Sequence, residues 1–386
     1  MGTIRAKLLS SGFSLFLATF TIRLAFEGYT PPDESASGAV VCTPGLYRTA
    51  PDDCLPLGPS AHLTELANLG IPYPIRPLLA IAPDPSLLQV PFWYFKVDVT
   101  GAPLYSSLDS AIAKTGVSRY LDPGFTYIAY VDRVDTGRGV FYLTSSGGWM
   151  PGKGSRISFS DFQGLEIRST PRNAFGWVLA EAQVKSAPGV TAPNSGKWYF
   201  RFDIVQIYNT READGLKWHL IGPDEWIEAR LIGVVFPSTT PPEGVNNGRW
   251  IDVNLEQQTL AVYDNARLVF ATLVSAGVEP LWTQPGLFPI YSRKEAEDMS
   301  GGTLADGDRY YLERVPWTQY FDQARALHGT YWHTYFGYPQ SRGCVNLSIG
   351  DARWVFDWAR EGDWVYVHDP SGRTPTDPSL YSAGGA

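Results

Sequence analysis

The chain has 386 residues and a formal net charge of −8, with 18% charged and 14% aromatic side chains, 38 glycines and 30 prolines. Many rings, many turns and few charges suit mainly β domains and exclude coiled coil, helical solenoid and bulk disorder. The acidic balance and the lack of any Lys/Arg run argue against nucleic acid as a partner, which needs a basic footprint.

The first 27 residues read as a signal peptide or membrane anchor. Arg5 and Lys7 precede a mostly apolar run from Leu8 to Ile22, and Arg23 ends it. The run is short for a membrane span, which takes roughly 20 residues, and suits a signal core, so residues 8–22 leave cleavage and anchoring both open. Export to the outer face of the cell envelope follows. Residues 28–60 are a Pro-, Gly- and Ser-rich linker holding Cys42 and Cys54, which an oxidising compartment would allow to pair. The third cysteine, Cys344, is then left odd. Ser60 can cap a short helix over Ala61–Gly70.

Residues 61–237 form a β-rich region of short aromatic strands, among them Phe92–Val97 and Tyr127–Val131. Two stretches share a pattern of aromatic strand, Gly-containing turn and Trp: Val140–Leu143 with Gly148-Trp149-Met150, and Leu216–Leu220 with Glu225-Trp226-Ile227. This weakly resembles the SH3-like modules of bacterial wall-associated proteins and is consistent with two small β-barrels. An ordinary β-domain with two core tryptophans fits as well. Residues 238–248 are a linker by composition.

A last domain spans 249–370. Ile251, Val253 and Leu255 alternate with polar residues, as do Leu260 with Val262 and Leu268 with Phe270, with Asp264-Asn265 as the hairpin turn. Ser348, with Asp351 three positions on, opens a helix that buries Ala352, Val355, Phe356 and Ala359, and Gly362 stops it. Trp364–His368 is a closing strand, and residues 371–386 are expected to be a disordered tail.

The chemistry sits between Leu327 and Leu347. A cysteine nucleophile needs a base or a cation near it, because the free thiol is mostly protonated at neutral pH. His328 lies far enough upstream of Cys344 for the chain to turn back, and His333 is a rival base. The amides of Gly343 and Cys344 can form an oxyanion hole. Tyr310, Tyr311 and Tyr320 are either lid residues or plain core. The five histidines show no metal spacing, so no metal and no cofactor is expected.

His328-Gly-Thr330 followed by Ser341-Arg-Gly-Cys-Val-Asn346 resembles the signature of the L,D-transpeptidase (YkuD-type) catalytic domain. The resemblance runs from Arg249 to His368 and takes in the opening hairpin, Thr283–Phe288 and Val315–Trp317. It implies a β-sandwich with a short helix. It also implies a thioester on Cys344, with peptidoglycan stem peptides as donor and acceptor. In this picture His328 is the base, held by the Gly329 carbonyl, and Asn346, Ser341 and Trp332 shape the pocket. Where the family usually has His, this chain has Arg342, which could pair with a stem carboxylate or lower the thiol pKa. An L,D-carboxypeptidase or endopeptidase, or a silent wall-binding protein, would share these motifs.

Overall fold

The computed structural model describes residues 66–67, 71, 77–97, 101–152 and 157–381. The leader, Cys42, Cys54 and most of the expected Ala61–Gly70 helix lie outside them. No helix among the described residues is long and apolar enough to cross a membrane.

The molecule is mainly β. A seven-stranded sheet runs, in spatial order, through Ala80–Ile81, Leu165–Ile167, Arg267–Leu273, Thr259–Asp264, Arg249–Asn254, Trp364–His368 and Gly286–Pro289. Its alternation is the one read from the sequence. Ile251, Val253, Leu260, Val262 and Phe270 face one core, which they share with the helix Ile349–Trp358 and with Leu327, Val345 and Leu347. The opposite face is buried too. Trp250, Tyr263, Leu268 and Leu273 pack on Phe175 and Trp177 of the N-terminal region. Two stacked pairs pin the faces, Trp250 on Tyr263 at 4.5 Å and Phe270 on Trp354 at 4.2 Å, each worth about 0.5–1.5 kcal/mol beyond burial.

The hairpin turn falls one residue later than expected. Asp264 still pairs with Arg267, and Asn265 and Ala266 take φ of 49° and 60°, the left-handed pair of a two-residue hairpin loop. Ser348 caps the helix by accepting the Asp351 N–H at 3.2 Å. The Asp351 carboxylate also engages the Ser348 side chain. It takes the Gly164 N–H at 2.8 Å and the Thr272 hydroxyl at 2.5 Å, which ties the helix to the sheet.

Both strand–turn–Trp stretches are antiparallel hairpins. Leu143 pairs with Trp149 in one, and Leu220 with Trp226 in the other. The second belongs to a β module made of a five-stranded and a three-stranded sheet around Val178, Val184, Val205, Ile221, Ile227 and Val234. The first is not separate from the last domain. Its strand Phe125–Asp135 pairs in parallel with Tyr310–Leu312, so one ten-stranded sheet crosses both. An open strand edge is a liability, and each of these edges covers the other. Glu313, buried, fastens the seam by accepting the Ala129 N–H at 3.0 Å.

Past residue 370, where the sequence suggests a disordered tail, the chain holds defined turns as far as Tyr381. Asp369 accepts the N–H groups of Ser371 and Thr374, and Asp377 caps the turn Pro378–Leu380. Such side-chain-to-backbone bonds order a segment that has no apolar period.

Candidate active site

The strand Tyr310–Asp322 turns tightly into Arg325–Gly329, and the latter runs parallel to Val345–Leu347. The register pairs Leu327 with Val345 and His328 with Asn346. His328 therefore lies on the strand that pairs with the one Cys344 immediately precedes, and both residues are fully buried.

His328 Nδ1 faces the Gly329 carbonyl at 3.3 Å, which fixes the proton on Nδ1 and leaves Nε2 as a bare lone pair. Nε2 has no hydrogen-bond partner among the described residues. Burial, with His333 nearby, lowers the His328 pKa to about 4, so the ring is neutral at pH 7. Trp332 lies against the ring at 5.6 Å.

Cys344 Sγ accepts the Ala326 N–H at 3.4 Å and donates toward the Ala324 carbonyl at 3.7 Å. Burial pushes the thiol up to about 12, while the Ala326 N–H and Arg325 pull the other way. The cation that acts on the thiol is thus Arg325, not Arg342. Arg325 is buried, paired with Asp322 at 2.7 Å, and faces the Tyr381 ring at 5.2 Å. The sequence signal for it was a lone charge within the run Ala324-Arg325-Ala326-Leu327, a residue type rarely buried without a partner. Arg342 turns away to the Gly302–Arg309 loop, where it donates to the Asp308 carbonyl at 2.6 Å and covers the Tyr310 ring at 4.9 Å. Tyr310 is correspondingly buried core.

The Ser341 hydroxyl spans the nucleophile turn. It accepts the Gly343 N–H at 3.1 Å and donates to the Cys344 carbonyl. The oxyanion pair expected from Gly343 and Cys344 is therefore half engaged in this state. Gly343 has φ of 121°, and a Cβ there would sit 3.2 Å from Arg325 Nε, so the turn requires glycine. His333 lies against Asn346, two residues beyond Cys344. It hydrogen-bonds the Asn346 carboxamide at 2.9 Å. No group of three His, Cys, Asp or Glu among the described residues could hold a metal ion.

Residues 248–367 match the YkuD family, the L,D-transpeptidase catalytic domain. That segment is a YkuD domain. No curated protein matches the chain. The YkuD domain is similar to solved L,D-transpeptidases. The Enterococcus faecium enzyme, as a Cys-to-Ser mutant, is 21% identical over 31% of this chain and 50% of its own, with a TM-score of 0.29. The Mycobacterium smegmatis protein is 22% identical over 42% and 76%, with a TM-score of 0.31. The Stackebrandtia nassauensis protein is 26% identical over 36% and 63%, with a TM-score of 0.27. The chain thus spans half the length of the first of these structures, and the YkuD domain alone carries the family assignment.

Proposed function

We infer that the chain is a cysteine-dependent L,D-transpeptidase acting on peptidoglycan stem peptides at the outer face of the cell envelope. Cys344 attacks the carbonyl of the third, L-centred diamino-acid residue of a tetrapeptide stem. D-Ala leaves and a thioester remains. The side-chain amine of a neighbouring stem then takes the acyl group. His328 Nε2 accepts the thiol proton, passes it to the departing D-Ala amine, and is then free to take a proton from the acceptor amine as it attacks the thioester. The observation that carries this reading is the His328 ring, oriented through Nδ1 by Gly329 so that Nε2 is left bare on the strand that pairs with Val345–Leu347, directly after Cys344. Before reaction the thiol turns from the Ala324–Ala326 backbone toward that nitrogen.

Mass spectrometry of a tetrapeptide-stem muropeptide incubated with the chain, beside a Cys344→Ala control, tests it. D-Ala loss with a cross-linked dimer, absent from the control, is the expected result. D-Ala loss without dimer makes water the acceptor and the enzyme an L,D-carboxypeptidase. A second reading, a silent wall-binding protein, is favoured by the burial of the thiol and its rise to about 12. It would leave the muropeptide unchanged while the chain still binds wall material.

A further inference from the structure

The hydrogen bonds of His333 determine where its proton sits. The backbone N–H of Tyr335 points at His333 Nδ1 at 3.2 Å. A backbone N–H can only donate, so Nδ1 accepts. The ring is partly buried, which lowers its pKa to about 4 and leaves it neutral at pH 7. A neutral imidazole that accepts at Nδ1 carries its proton on Nε2.

That Nε2–H lies 2.9 Å from Asn346 Nδ2, a second donor. Two donors cannot bond each other. Meanwhile Asn346 Oδ1 is buried with no partner among the described residues. Carboxamide oxygen and nitrogen are assigned by their hydrogen bonds. One half-turn of the Asn346 carboxamide removes both faults. Oδ1 then accepts from His333 Nε2–H, and the NH2 group occupies the place of the orphaned oxygen. Asn346 is paired with His328 in the strand register and lies two residues beyond Cys344. Two buried polar atoms on register-paired residues, His328 Nε2 and this end of Asn346, are thus left without partners among the described residues.

We propose that His333 is a positioning residue that locks the Asn346 carboxamide with its NH2 group toward the pocket, where it donates to a carbonyl oxygen of the peptide held at Cys344. Asn346 is then a donor in substrate recognition, and His333 decides which of its two ends the substrate meets. The substrate half of this proposal rests on the acyl-transfer reading above; the His333–Asn346 bond does not.

Two measurements separate them. Long-range 1H–15N correlation on the full chain labelled with 15N-histidine reads each tautomer without turnover, and a His333→Gln chain assigns the signal. The expected result is His333 protonated on Nε2 at pH 7. A proton on Nδ1, or an averaged signal, overturns the proposal. The second measurement is kinetic. Asn346→Asp keeps an acceptor for His333 and removes the pocket donor, so kcat/KM on the tetrapeptide stem should fall by about tenfold or more, the scale of one lost hydrogen bond. His333→Phe should lose a similar factor and His333→Gln, which retains an N–H donor, should recover most of it. Wild-type kcat/KM in Asn346→Asp overturns the donor assignment. If the wild-type chain shows no Cys344-dependent turnover, the acyl-transfer reading fails. Titration of the tetrapeptide into 15N-labelled Cys344→Ala chain then decides. A shift of the Asn346 NH2 signal supports the proposal, and an unmoved signal at saturation overturns it.

Discussion

The resting thiol should be nearly inert, and this can be measured directly. Burial moves the Cys344 thiol from its ordinary value of 9.0 to about 12. At pH 7 that makes the thiolate about a thousand times scarcer, equivalent to about 4 kcal/mol. The thiolate is the species that alkylates, so iodoacetamide should label folded Cys344 at least a thousandfold more slowly than a free thiol. Labelling in urea should proceed at the ordinary rate. The readout is the intact mass over time, with peptide mapping to separate Cys344 from Cys42 and Cys54. In the folded chain the rate should keep rising beyond pH 10. Rapid labelling at pH 7, or a rate that levels off near pH 8, would refute the argument and mean that the thiol already meets the solvent or the His328 ring. Saturating stem peptide that cannot be turned over should shift the profile downward, if substrate is what rotates the thiol toward Nε2.

Three further outcomes follow from the same structure. Acid should destabilise the fold. His219, His328 and His333 are all lowered from 6.5 to about 4, so between those values the unfolded chain binds protons that the folded chain refuses. Stability is then lost as pH falls, by up to about 3 kcal/mol for each ring. Two carboxyls oppose this by gaining stability as pH falls: Asp351, raised from 3.8 to about 6, and Glu313, raised by burial. Three rings outweigh two carboxyls, so the urea midpoint at pH 5 should lie below that at pH 7; an equal or higher midpoint would sink this account. Gly343→Ala should cost about 1–3 kcal/mol from backbone strain, and should abolish turnover while leaving secondary structure intact by circular dichroism. Glu313→Ala strands the buried Ala129 N–H, at a cost of about 1–3 kcal/mol; faster hydrogen exchange at Ala129 than in the wild-type chain is the sign to look for.

The helix cap and the candidate pair Cys344 and His328 are legible in the sequence because each reading depends on residue type at short range. Cys344, His328 and Ser348 are the side chains those tasks demand. The opening hairpin was legible from alternation, yet only half of it. Trp250 and Tyr263 occupy the face that alternation marks as outward, and the second β module covers that face. Arg325 was missed because its importance comes from Asp322 and the thiol folding around it. The contact of Arg342 with Asp308 is not legible because Asp308 lies on a loop that local sequence cannot bring near. The merging of the first module with the last domain rests on Phe125–Tyr127 meeting Tyr310–Leu312, a pairing between distant segments that no window of sequence contains.

That shared sheet has a practical meaning for anyone wishing to isolate the catalytic part. Cutting the chain at the family boundary, near residue 248, removes Phe125–Asp135 from beside Tyr310–Leu312 and Leu165–Ile167 from beside Arg267–Leu273. Two naked strand edges are the expected product, and naked edges recruit other chains. A fragment that starts at 248 should therefore be the sticky, poorly behaved one, and a fragment that starts near residue 77 should be the tractable one.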